Sequence, residues 1–325
     1  MVPDATFTSY YGRPVVKASP WEADIRAYLF LGGVAAGSSL LAAGADLTGR
    51  PVLRKAGRLA ALGGLSLSML ALVHDLGRPE RFVNMLRVIK PTSPMSVGTW
   101  ILTAYAPGAV LAGGAELLQL LPLDLGRLGR LVHLAARPGG IAAAVFAPGV
   151  ASYTAVLLSD TATPAWHDAH RELPFVFVSS AAAASGGLGM LTSPLNQAGP
   201  ARRLAVLGAA VELVSEHRME QSMGLSAEAL HTGMPGQLIR ASKALIATGG
   251  ALALLFGGRS RTAAALSGLT LLAGSICTRF GIFEAGQASA KDPKYTVVPQ
   301  RQRVDREKAE ASAAAAAQLQ VEEDR

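Results

Sequence analysis

Glu212 and Glu216 stand four residues apart beside the apolar run 201–214. At helical spacing both carboxylates face the same way. Two acids on one face inside a membrane suit a proton path, and an ion pair between helix bundles fits the same spacing. Tyr153, in Ser152-Tyr153-Thr154, lies deep in another apolar run, where its hydroxyl needs a partner. Tyr28 is a second polar-tipped aromatic, equally readable as an interface anchor. His74 and Asp75 close a further apolar run, within reach of water at a span end. His167 and His170 flank Asp168 at a spacing that can hold a metal. Solvation in a loop is the simpler account of them. Asp24, Arg26, Glu116, Lys243 and Glu284 sit near the ends of apolar runs, where side chains snorkel to the interface.

The same inventory excludes some chemistry. The chain has one cysteine, Cys277, and six histidines. An iron–sulfur cluster takes about four ligands and a b-type haem takes a facing pair of histidines within spans. Neither set can be assembled, so no haem, iron–sulfur cluster or metal is expected in this chain.

These residues need elements to place them. The chain has 325 residues, 50% of them hydrophobic and only 16% charged. Its mean hydropathy of +0.32 is modest because much of the apolar content is Ala and Gly. A membrane helix needs about 20 mainly apolar residues. Eight stretches qualify or nearly do: 23–45, 57–73, 97–121, 139–158, 173–192, 201–214, 238–256 and 262–283. The sixth is the weakest, since Glu212 and Glu216 sit in or beside it. The expected fold is an all-α membrane protein with about eight transmembrane helices in two four-helix bundles. The expected divisions are a polar N-terminal segment 1–22, bundles 23–160 and 161–290, and an extramembrane tail 291–325. The tail reads as disordered or as a solvated helix, with strapping onto a partner as the alternative.

Connections alternate. Short ones join spans one to two, three to four, five to six and seven to eight. The longer ones, 75–96, 159–172 and 217–237, share a face with both termini, and elaborate loops usually carry function. Basic residues are denser in the short connections, which leans toward termini outside by the positive-inside rule, while Lys291, Lys294, Arg301 and Arg303 add positive charge to the opposite side. The formal charge of +7 is distributed as membrane-flanking charge. It calls for a lipid bilayer, not nucleic acid. Gly33 and Gly37, and the run from Ala181 to Gly189, predict close helix packing.

The loop after span two reads His74-Asp75-Leu76-Gly77-Arg78-Pro79-Glu80-Arg81-Phe82, then Pro91-Thr92-Ser93-Pro94-Met95-Ser96-Val97-Gly98-Thr99-Trp100. This resembles the signature of the NrfD/PsrC family, the membrane subunits of polysulfide reductase-type molybdoenzyme complexes. Trp21 with the glycines at 32–37, Tyr153-Thr154-Ala155-Val156-Leu157-Leu158-Ser159, Leu173-Pro174-Phe175, Arg279-Phe280 and Ala285-Gly286-Gln287 resemble further family marks. The resemblance extends to about Lys294.

The resemblance implies a quinone-binding membrane anchor in a bacterial inner membrane, with menaquinone as the exchangeable substrate. It implies two partners, a four-cluster ferredoxin-like iron–sulfur subunit and a molybdopterin catalytic subunit holding molybdenum or tungsten; formate dehydrogenase is one such enzyme. The chain would carry no catalytic centre of its own. Tyr153 falls on the family's quinone tyrosine, and Tyr28 stands where the family often has histidine. Asp75 and Arg78 match the loop motif near that pocket, with His74 beside them. Protons would pass by Asp75, Glu212 and Glu216, and Arg81, Arg87 and Lys90 would dock the iron–sulfur subunit. Two other readings fit the same residues: an ion-coupled secondary transporter, and a structural anchor without quinone binding.

Overall fold

The computed structural model describes residues 14–121 and 126–323, with the side chains of 79, 81, 128 and 315–323 left aside. Among the described residues every regular element is a helix. The first half comprises α1 (Ala23–Leu47), α2 (Pro51–Asp75), α3 (Pro94–Leu118) and α4 (Gly126–Ser159). A five-residue helix, α5 (Pro164–Asp168), leads to α6 (Leu173–Thr192), α7 (Gly199–Ser222), α8 (Gly233–Leu255) and α9 (Arg261–Lys291). The last helix is α10 (Lys294–Glu323).

Local signals explain the boundaries. Proline occupies the first turn of α2, α3, α6 and α7, where its missing N–H and fixed φ suit a helix start. Gly77, at φ +63°, takes the left-handed conformation that ends α2 and turns the chain into the 3-10 helix Pro79–Leu86. Pro107 and Pro148 lie inside α3 and α4. Each is followed by a glycine, and Gly108 lets α3 approach the backbone of α4 at Gly139.

Within the first half α1 packs on α2, α3 on α4, and α1 on α4. The second half repeats the pattern with α6 on α7, α8 on α9, and α6 on α9. The halves meet where α1 and α4 lie on α6. Small residues make that junction close. A Cβ on Gly33 would come within 3.2 Å of the Ala181 Cβ, and Gly37 faces the Ser185 hydroxyl. On its other sides α6 sets Gly186 against the Ala205 backbone and Gly187 against Gly268. The helices pack here backbone to backbone, with van der Waals contact taking the place of large interlocking side chains.

Among the described residues seven helices are long and apolar enough to cross a membrane: α1 to α4, α6, α8 and α9. The all-α membrane architecture expected from sequence is the observed one. The remaining long helix of the packed set, α7, is held between α6 and α8. Arg202, Arg203, Glu212, Glu216, Arg218 and Glu220 lower its hydropathy. Its outward positions at mid-helix are nonetheless apolar, with Leu207, Val211 and Val214 exposed. Helix α10 touches the body at its start, where Tyr295 is buried and Lys294 Nζ pairs with Glu228 at 2.6 Å. Beyond it, the described side chains from 300 to 314 are exposed.

Candidate functional site

The end of the first half on the side of the 75–96 loop holds an apolar cleft of about 640 Å³ counted to its open mouth. Every helix of that half contributes. Ile25, Tyr28 and Leu29 come from α1, Leu72 and Asp75 from α2, Thr99 and Leu102 from α3, and Tyr153 and Leu157 from α4. Met85 and Met95, from the loop and the start of α3, close over it, and Trp21 bounds it ahead of α1.

Two buried tyrosines of this half differ in one respect. The Tyr105 hydroxyl lies 2.8 Å from Ser39 Oγ and 3.0 Å from the Ala35 carbonyl oxygen, to which it donates. Tyr153 is 8% exposed, and its hydroxyl is buried without a partner among the described residues. An unpaired buried hydroxyl is costly, and most such groups find a partner. Tyr28, 3% exposed, meets Tyr153 edge to face with ring centroids 6.5 Å apart. Gly98 on α3 leaves the room that the Tyr153 ring occupies.

The segment carrying Trp21 is fixed from the second half. Gln287 Nε2 on α9 donates to the carbonyl oxygens of Ser19 and Trp21, at 3.0 and 3.2 Å. Trp21 stacks on Trp166 of α5 at 6.0 Å, and Trp166 Nε1 donates to the Ile282 carbonyl at 2.9 Å. Gly286 provides the space for the Trp166 ring. Arg26 and Glu284 form an ion pair that also ties α1 to α9, with the guanidinium 5.3 Å from the Phe280 ring centroid.

Tyr153, Tyr28 and Asp75 are therefore brought together on one cleft. His74 and Arg78 are not among its lining residues. His74 points outward, 82% exposed, with Nδ1 2.7 Å from Asp24. Arg78 is exposed past the turn at Gly77. Arg87 and Lys90 lie exposed on the same loop, beside exposed Val83, Val88 and Ile89. The side chain of Arg81 lies outside the described residues.

Glu212 and Glu216 are elsewhere, inside the second half, 0% and 2% exposed. Glu212 Oε1 accepts from Thr278 Oγ1 at 2.7 Å, and that hydroxyl is 2.5 Å from Ser242 Oγ. Glu212 Oε2 and both oxygens of Glu216 have no hydrogen-bond partner among the described residues. Arg279, 1% exposed, lies over the Phe177 ring and donates through Nη2 to the Phe177 carbonyl at 2.5 Å. Its Nε and Nη1 are likewise without described partners. These groups form a second polar interior, separate from the cleft.

A third ionic group departs from the sequence expectation. Glu116 is 1% exposed, not snorkelling as its place near a span end suggests. Arg58 Nη1 reaches it at 3.0 Å and Arg54 Nε at 3.2 Å, while Arg58 Nη2 lies 3.3 Å from Asp46. The available signal was the spacing of Arg54 and Arg58, which puts both on one face of α2. Lys243 likewise pairs with Glu220 at 2.5 Å. Among the described residues no group of three or more His, Cys, Asp or Glu is placed to hold a metal ion. His167 and His170 turn to backbone carbonyls, and Asp168 accepts from Ser226.

The chain is similar in sequence to known proteins. Residues 15–202, more than half of the chain, match the model of a family described as polysulphide reductase, NrfD. The C subunit of polysulfide reductase from Wolinella succinogenes is 34% identical over 151 residues, which cover 43% of this chain and 47% of that protein. The chain thus spans about half the length of the curated relative that it matches. The matched region includes all four helices of the cleft, and the chain belongs to the NrfD polysulphide reductase family.

Proposed function

We propose that this protein is the quinone-binding membrane subunit of a molybdenum or tungsten oxidoreductase complex in a bacterial inner membrane. It would exchange electrons between a quinone, menaquinone in the first instance, and an iron–sulfur subunit docked on the loop face. The observation that carries the reading is the partnerless Tyr153 hydroxyl in an apolar cleft, against the fully bonded Tyr105 in the same half. Family membership supports a membrane subunit of a redox complex.

The residues present fit a quinone. Leu29, Leu72, Leu102 and Leu157 offer apolar walls for a ring and the first part of its tail. The Tyr153 hydroxyl would donate to one carbonyl oxygen. Tyr28 would hold the ring in plane from the side. Asp75, half-buried on the cleft wall, would receive or supply a proton at the mouth. When bound, a quinone supplies two-electron, two-proton chemistry. The protein's part is to orient the ring, keep it among apolar walls, and exchange protons with the loop face.

Arg87 and Lys90, with Arg81 on the same 3-10 segment and loop, form the proposed docking surface. It adjoins Met85 and Met95, so the partner would sit over the cleft. Glu212 and Glu216 would form a proton path through the second half, where their unpaired oxygens can hold protons. The ion-coupled carrier reading is weaker. Such carriers build their sites on broken helices, whereas α6 to α9 run continuously past these carboxylates.

The test compares two activities of the purified complex: turnover with a quinone, and turnover with a dye that takes electrons at the partner subunit. Tyr153→Phe should lower the first and spare the second, and Tyr105→Phe should not change their ratio. An unchanged ratio in Tyr153→Phe, Tyr28→Phe and Asp75→Asn would place the pocket elsewhere.

A further inference from the structure

A second groove lies on the outer side of α6 and α7 and shares no lining residue with the Tyr153 cleft. It measures about 880 Å³ counted to its open mouth. The start of α6 and the end of α7 meet at one end of it, where Ser222 Oγ donates to Glu172 at 2.8 Å. Arg171, just before α6, and Arg218, late in α7, line that end together with Glu172, and both arginines are exposed. No described carboxylate lies within 4.0 Å of either guanidinium.

Away from the arginines the walls become apolar. Phe175 lies in the first turn of α6 and is 63% exposed; Val214 and Val211, one and two turns back along α7, are 54% and 47% exposed. From Arg218 to Val211 a helix advances about 10 Å. The groove therefore presents two cations and one carboxylate at the end where the loops begin, and an outward apolar wall descending toward mid-span.

We infer that this groove is a binding site for a phospholipid with an anionic headgroup. Its phosphate would lie between Arg171 and Arg218, and an acyl chain would cover Val214 and Val211. Charge decides between lipids. A zwitterionic headgroup is neutral overall, so it leaves the net single positive charge of two guanidiniums and the Glu172 carboxylate uncompensated. A headgroup with one net negative charge balances it, and guanidinium forks bind phosphate oxygens in pairs. A basic residue at an anionic membrane surface contributes about 1 kcal/mol, which is roughly five-fold in affinity.

The full-length protein, delipidated in detergent, tests this. Micelles doped with phosphatidylglycerol should raise its melting temperature and leave one bound lipid by native mass spectrometry. Phosphatidylcholine should do neither. Arg171→Gln and Arg218→Gln should each weaken lipid binding about five-fold, and together more than about ten-fold. Arg203→Gln, at the opposite end of α7, should leave it unchanged. Undiminished phosphatidylglycerol binding in the double variant, equal binding of phosphatidylcholine, or full stabilisation by inorganic phosphate alone would each overturn the assignment. Should the double variant not fold, undiminished lipid occupancy in both single variants would do the same.

Discussion

Gly98 on α3 and Tyr153 on α4 meet so closely that a Cβ at position 98 would overlap the tyrosine ring. The glycine is what gives the ring its place between the two helices. Gly98→Ala should therefore push the ring into the cleft. Overpacking of this kind costs about 1–3 kcal/mol, so a fall of several degrees in melting temperature is expected. Quinone-dependent turnover should fall further than dye-dependent turnover, and the two assays on one preparation measure this.

Removing the Tyr153 hydroxyl alone separates function from folding. Because that hydroxyl has no partner among the described residues, Tyr153→Phe should leave the melting temperature unchanged or slightly raised. A lost hydrogen bond to a ligand is worth about 0.5–1.5 kcal/mol, or a several-fold weaker quinone. Tyr105→Phe should do the reverse, lowering stability by a similar amount with little effect on quinone affinity. Thermal melts and quinone titrations of both variants check the contrast.

The ionic group at Glu116 predicts a stability hierarchy. Arg58 and Glu116 are buried against each other, and breaking such a pair from one side costs about 3–5 kcal/mol. Glu116→Ala and Arg58→Ala should each destabilise strongly, and the double variant should fall well short of their sum. Arg137 reaches Asp46 at 3.5 Å but is 64% exposed. Its replacement by Gln should change stability by less than about 1 kcal/mol. A double-mutant cycle on purified protein gives all the terms.

The loop face predicts release without unfolding. Arg87 and Lys90 are exposed and have no carboxylate partner among the described residues. Arg87→Glu with Lys90→Glu should leave the melting temperature of the isolated chain unchanged. The same double variant should lose the iron–sulfur subunit on purification, and more readily as salt is raised. Co-purification across a salt series reads this out, and an intact complex would reassign the surface.

The helices were legible because apolar runs of membrane length have no soluble explanation, and the breaks between them fall at Pro51, Pro94 and Gly77. The cleft was legible only in part. Tyr153, Tyr28 and Asp75 converge, but neighbours in the same motif do not follow them. Successive helix residues point about 100° apart, so Asp75 faces inward while His74 faces out. The left-handed turn at Gly77 then carries Arg78 away. The difference between Tyr105 and Tyr153 had no local signal. One hydroxyl meets a carbonyl 70 residues away, and the other meets no described partner. Glu116 defeats local reading for the same reason: its partners, Arg54 and Arg58, reach it from another helix. Pairings between distant segments set these environments, and a single sequence does not display them.

The small-residue surface of α6 limits how this protein can vary. Gly186, Gly187 and Gly189 already carry the smallest side chain there is, and each faces a neighbouring helix at contact distance. Every substitution at these positions adds volume, and no loss elsewhere on α6 can compensate where the facing atoms are backbone, as at Gly186 and Gly187. The central helix can therefore drift in only one direction, toward forcing its neighbours apart, and change in this chain is pushed outward to the lipid-facing rows and the loops.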